Sequence, residues 1–159
     1  MVVSRIRAVL DTNVLLRGLL NTKSASGRIL EEVEKREVIL LLSRPVVGEY
    51  RAVLSDPVVV DRFPELKLER VEIALRRFRY FGEYRRSVRA RFDFPRDPRD
   101  EKLIELAIAA KATDIISLDK DLLSLPGGHG DAAKRLRQRL PGVMVLTPME
   151  FLSTHGMRD

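Results

Sequence analysis

Cysteine is absent from the chain, and histidine occurs only as His129 and His155. The first absence removes disulfides, thiolate catalysis and sulfur-ligated zinc together. The second removes histidine-rich metal sites. A metal held by this chain is therefore held by oxygen, which favours magnesium or manganese over zinc or copper. His129 sits in a glycine-rich loop and His155 in the tail, and both read as solvated rather than catalytic. Long apolar runs are missing too, none approaching the roughly 18 residues that a membrane span needs. The first residues, 1–5, offer only a short apolar run and no small-residue cleavage site, which argues against a signal peptide. These absences lead us to expect a soluble cytoplasmic protein with no membrane partner.

What is present fits one globular domain. A chain of 159 residues, 45% apolar and 33% charged, can bury a real core but cannot make a second full domain. We expect a single domain over 1–159 with its core at about 6–152. The net charge is +6, and Arg outnumbers Lys by 22 to 7. Guanidinium forks suit bidentate contact with phosphates, so an Arg-biased surface fits nucleic acid; a merely soluble basic surface fits as well.

Strands and helices alternate along the chain. Ile6-Arg7-Ala8-Val9-Leu10 reads as a strand that stops at Asp11, and Asn13 is placed to cap a helix starting near Val14. Ser24 or Ser26 opens a second helix to about Arg36, and Val38 to Leu42 is a continuous apolar run typical of an interior parallel strand. Ser43-Arg44-Pro45 signals the next helix, with Val46, Val47, Tyr50 and Leu54 inward and Glu49 one turn in. Residues 58–64 read as a short connection or helical turn. From Lys67 to about Phe81, Leu68, Val71, Leu75, Phe78 and Phe81 recur at helical spacing beneath a basic outer face. A carboxylate-rich turn, 94–101, opens another helix. Asp114 to Leu118 is a short strand ending at Asp119, a basic helix covers Asp131 to Leu140, and a last strand at 143–146 precedes a terminal helix. Alternating strands and helices of this kind build an α/β fold.

Four acids fall at element boundaries, where open α/β sheets place ligand groups: Asp11, Glu49, Asp100 and Asp119. Each alone also fits a helix cap, a turn residue or a solvated helical Glu. Together they have a different meaning if they converge, because each close carboxylate pair then costs on the order of 3 kcal/mol at an effective dielectric of about 20. A cation repays that cost, and an all-carboxylate site serves metal-assisted attack on a phosphodiester, needing no nucleophilic side chain.

These residues carry a family resemblance. Val9 to Val14, Pro45 to Tyr50, Asp97 to Lys102, Ile116 to Leu123 and Leu146 to Leu152, in that order, resemble the PIN domain, and more narrowly the VapC-type toxin components of prokaryotic toxin–antitoxin pairs. The resemblance implies a three-layer α/β/α sandwich with a mostly parallel central sheet. It also implies a magnesium- or manganese-dependent endoribonuclease, a cognate antitoxin that occludes the acid pocket, and a homodimer or larger homo-oligomer. The family's catalytic and metal-binding acids map onto Asp11, Glu49, Asp100 and Asp119. Asp97 and Asp121 are neighbours that assist, and Thr12, Asn13 and Ser117 match small polar supporting positions.

Two departures stand out. Ser117 occupies a place where Thr is common, and the stretch from Pro126 to Pro141 is longer than the usual link to the final strand. Its basic helix is expected beside the RNA path or the dimer face, which makes Arg135, Arg137 and Arg139, with Arg85 and Arg86, the candidate RNA contacts. Two other readings compete. A catalytically silent RNA-binding module would keep the fold without the chemistry, although all four acids are present. A haloacid-dehalogenase-type phosphohydrolase also ends its first strand in Asp, but wants a second Asp two positions on, where this chain has Asn13.

Overall fold

The computed structural model describes residues 5–157. The signal-peptide reading rests on residues 1–5, of which 1–4 lie outside the described residues. Among the described residues five strands form one sheet: β1 (Ile6–Leu10), β2 (Val38–Ser43), β3 (Glu83–Arg85), β4 (Asp114–Ile116) and β5 (Met144–Leu146), in the order β3-β2-β1-β4-β5. The expected mostly parallel sheet is parallel throughout. Its centre is β1, where Ala8 sits opposite both Leu40 and Asp114. Ala8, Val9 and Leu10 are buried, as are Leu40, Leu41 and Leu42, as expected of strands covered on both faces.

The order steps one way from β1 to β3 and the other way from β4 to β5. Right-handed crossovers then require the connecting helices on opposite faces. Helices α1 (Thr12–Leu20), α2 (Ala25–Glu34), α3 (Arg44–Leu54), α4 (Pro57–Arg62) and α5 (Leu68–Phe81) belong to the first set. A 3-10 turn (Pro98–Asp100), α6 (Glu101–Ala110), α7 (Lys120–Leu123) and α8 (Asp131–Arg139) belong to the second, and α9 (Pro148–Thr154) ends the fold. Helix α2 packs on α1, α5 and α9, while α6 lies on β1, β2 and β4. Among the described residues, no helix is long and apolar enough to cross a membrane.

Polar residues start several of the helices, at Ser24 and Ser43 as read from the sequence and at Asp56 where no cap is read. Ser24, Ser43, Asp56 and Thr147 cap their helices through side-chain oxygens. At α1, however, the cap is Asp11 rather than Asn13, and the helix begins directly at Thr12. Leu68, expected inward, is 59% exposed at the first turn of α5. Strands β4 and β5 are also shorter than read from sequence.

Strand β3 has no sequence signal, since Glu83-Tyr84-Arg85 is not an apolar run. It exists because Gly82 lets the chain leave α5 and pass directly against β2: a Cβ there would lie 2.5 Å from the Leu40 carbonyl oxygen. His155 corrects a second expectation. It is not solvated: its Nε2 lies 3.0 Å from Oδ1 of fully buried Asp114, and its ring packs on Phe151. The other Asp114 oxygen accepts from the Thr113 hydroxyl at 2.6 Å. A buried carboxylate is tolerated when its oxygens are satisfied in this way, and here the pair ties α9 to the start of β4.

Gly82→Ala is predicted to destabilise the protein by about 1–3 kcal/mol, because the β2 backbone that it meets cannot give way. Gly48→Ala, whose Cβ meets nothing within 4 Å on α3, is predicted to stabilise it by about 0.5–1 kcal/mol. Chemical denaturation of the two variants checks the opposite signs.

Candidate active site

The sheet's order reverses between β1 and β4, and the carboxyl ends of strands at such a switch point border the crevice of an α/β fold. Asp11 follows β1 there, and Ser117-Leu118-Asp119 follow β4. The Asp11 N–H donates to the Ile116 carbonyl at 2.9 Å, extending the ladder by one bond past the strand. The buried hydroxyl of Tyr50, reaching from α3, donates to the Leu10 carbonyl and fixes the same strand end. Burial, reinforced by Asp11 and Glu49, pushes the Tyr50 phenol up, so it remains neutral.

One buried hydroxyl joins the two strand ends. Ser117 Oγ donates to Asp11 Oδ2 at 2.7 Å and accepts the Asp119 N–H at 3.0 Å. The other Asp11 oxygen accepts the Thr12 N–H at 2.7 Å, and Asp119 Oδ1 accepts the Asp121 N–H at 2.9 Å. Both acids are thus helix caps as well as members of the cluster. Burial raises the Asp11 pKa, while the Ser117 and Thr12 hydrogen bonds hold it down.

Asp97 and Asp100 arrive on the 3-10 turn before α6. Asp97 caps that turn by accepting the Arg99 N–H at 3.2 Å. Asp100 is 6% exposed, and its Oδ2 is buried with no hydrogen-bond partner. Burial first, then the charges of Asp11, Asp97 and Asp119, push its pKa up to about 8. Its contact with Asp119 is a hydrogen bond only when a proton lies between them. Oxygens of Asp97, Asp100 and Asp119 all lie within 4.8 Å of one another. Ligand oxygens of one hard cation are at most about 4–5 Å apart, twice a bond of roughly 2.0–2.6 Å. The donor set therefore fits a magnesium-, manganese- or calcium-sized ion.

Asp11, Thr12, Asn13, Glu49, Asp97, Asp100 and Asp119 line one open cleft of about 380 Å³. Glu49 is held at its side, with Oε1 2.9 Å from Lys102 Nζ and Oε2 3.4 Å from the Thr12 hydroxyl. The tight group thus contains Asp97, expected only as a neighbour, while Asp11 and Glu49 border it. Asp121 contributes its backbone N–H, but its side chain points to another depression, 3.8 Å from Arg96. Lys102, which carried no role in the sequence reading, neutralises Glu49 because α3 packs on α6, a contact that only the fold creates.

The candidate RNA arginines are largely occupied elsewhere. Arg135 donates to the Asp93 carbonyl and Arg137 to the Pro126 and Gly128 carbonyls, and Arg139 bonds the Arg91 carbonyl. They strap the irregular segments 91–93 and 126–128 to α8. Arg85 pairs with Glu83 at 3.2 Å, and Arg86 is exposed.

A family model for the PIN domain matches residues 7–121. The chain belongs to the PIN domain family. The PIN domain is a nuclease-type fold, generally of metal-dependent ribonucleases, and the matched stretch contains Asp11, Glu49, Asp97, Asp100 and Asp119. Helix α8, β5 and α9 follow it. This PIN protein is 28% identical over 163 residues to Uncharacterized protein MJ1680 of Methanocaldococcus jannaschii, a match covering 93% of this chain and 90% of the relative. No solved structure matches the chain.

The raised Asp100 pKa makes stability depend on pH. Between about 4 and 8 the folded metal-free protein binds a proton that the unfolded chain has released, so stability falls as pH rises through that window. In chelator at pH 8, Asp100→Asn is predicted to melt about 2–4 °C above the parent, the effect of roughly 1 kcal/mol in a domain of this size. The difference should vanish near pH 4. Melting curves that track each other at both pH values would refute the assignment.

Proposed function

We propose that this PIN domain is a divalent-metal-dependent endoribonuclease using magnesium or manganese, with Asp97, Asp100 and Asp119 holding the ion and Asp11 completing the acidic rim. The observation that carries this reading is the unpartnered, buried Asp100 oxygen facing two other aspartates. An unsatisfied buried carboxylate beside like charges is costly unless a cation occupies the space between them. When bound, a hard cation supplies charge neutralisation, lowers the pKa of water and polarises the scissile phosphate.

The chain's own residues supply the rest. Ser117 fixes Asp11 and the Asp119 backbone in one geometry, so the acids of β1 and β4 are positioned before substrate arrives. Asp100 can carry a proton shared with Asp119 and release it as the site fills. Glu49, paired with Lys102, sets the far wall of the cleft and adds little net charge to it. The toxin assignment, with an antitoxin partner covering the cleft and a homo-oligomeric assembly, extends from the VapC-type resemblance of the five motifs. Growth arrest on expression, absent with Asp100→Asn, is its test.

Incubating the purified protein with a mixed RNA pool should give cleavage with manganese and none after chelation. Asp11→Asn, Asp100→Asn and Asp119→Asn are each expected to lower the rate by roughly 100-fold or more, as loss of a principal charge-stabilising group does. Glu49→Gln should cost less, about tenfold, because Lys102 already neutralises that carboxylate. Undiminished cleavage by Asp100→Asn and Asp119→Asn would overturn the reading.

A further inference from the structure

A second depression lies at the same edge of the sheet, one strand further from the switch point. Strands β2 and β3 end side by side, with Ser43 opposite Arg85, so the residues that follow, Arg44 and Arg86, leave adjacent parallel strands together. With Arg85, Arg91, Lys102 and Glu105 they line a hollow of about 300 Å³. Its charges are unevenly committed. Arg85 pairs with Glu83, Lys102 with Glu49, Arg91 donates to the Val88 and Ala90 carbonyls, and Glu105 accepts the Phe92 N–H at 3.0 Å. The side chains of Arg44 and Arg86 are exposed and have no ion pair or hydrogen bond among the described residues.

Lys102 connects the two depressions. Its side chain lines the basic hollow, while its ammonium lies 2.9 Å from Glu49, which lines the acid cleft. An anionic strand crossing the acid cleft and passing Lys102 therefore meets uncommitted guanidiniums next.

We propose that the Arg44/Arg86 hollow is a backbone-binding subsite for single-stranded RNA, holding a phosphodiester that flanks the one in the acid cleft. The proposal rests on the ribonuclease reading and extends it to how the strand is held. Guanidinium forks present paired donors matched to phosphate oxygens, and a basic groove that tracks the backbone is how single strands are held without reading sequence. The site also supplies net attraction that the acid cleft alone lacks.

The test separates the subsite from the chemistry by measuring binding in chelator, where no cleavage occurs. A fluorescent single-stranded RNA is titrated with the parent, with Arg44→Ala/Arg86→Ala, and with Lys23→Ala/Lys111→Asn, a charge-matched control at exposed residues beyond the C-terminal ends of α1 and α6 that line neither depression. The Arg44/Arg86 pair should weaken binding at least tenfold and reduce the slope of log affinity against log salt by about 1.4, the single-strand value for two phosphate contacts. The control pair should change the slope by much less. Equal slopes for both double variants would overturn the subsite, even if manganese-dependent cleavage by the parent upholds the ribonuclease reading. Failure of the parent both to bind and to cleave would overturn the two together. Arginine-dependent binding of a polyglutamate peptide in place of RNA would overturn the subsite in favour of an acidic protein partner.

Discussion

Mutual repulsion of carboxylates at the carboxyl end of a parallel sheet is the constraint around which this molecule is arranged. Asp11, Asp97, Asp100 and Asp119 come from three separate segments, and each is fixed by local structure before any counter-charge is considered. Asp11 and Asp119 cap helices, Asp97 caps a 3-10 turn, and Asp100 is carried into a buried position at the start of α6. The caps offset part of the electrostatic cost, since each Asp at an N-terminus meets backbone N–H groups and the favourable end of a helix dipole. Asp100 has no such compensation for its second oxygen, and its pKa rises accordingly.

The scaffold around the acids is correspondingly stiff. Ser117 ties the ends of β1 and β4, Tyr50 ties α3 to the end of β1, and Lys102 ties α6 to α3. These contacts span the switch point from both sides, so the cluster cannot relieve its repulsion by opening. A site held in this way is preorganised for a cation, because little rearrangement remains to be made on binding.

The arginine excess divides between structure and surface. Arg7 pairs with Glu83 and bonds the Ala110 carbonyl, and the three arginines of α8 clasp carbonyls of segments that have no ladder of their own. Backbone acceptors without secondary structure need donors, and long guanidinium side chains reach them. In the acid cleft itself Arg99 lies 3.8 Å from Asp97, and the side chains of Arg44 and Arg86 stand exposed in the neighbouring hollow.

The sequence by itself determined the α/β class, the interior strands β1 and β2, the helix start at Ser43, and the acids at element ends. Those features are local: apolar runs, capping side chains and prolines act within a few residues of themselves. Tertiary structure decided what depends on distant partners. It drew β3 out of an unremarkable tripeptide by placing Gly82 against the β2 backbone, and it moved Asp97 from the margin to the centre of the acid group. It also set Lys102 against Glu49 and paired His155 with Asp114, 41 residues away. In each of these the energy lies in a contact between segments, which no periodicity within one segment encodes.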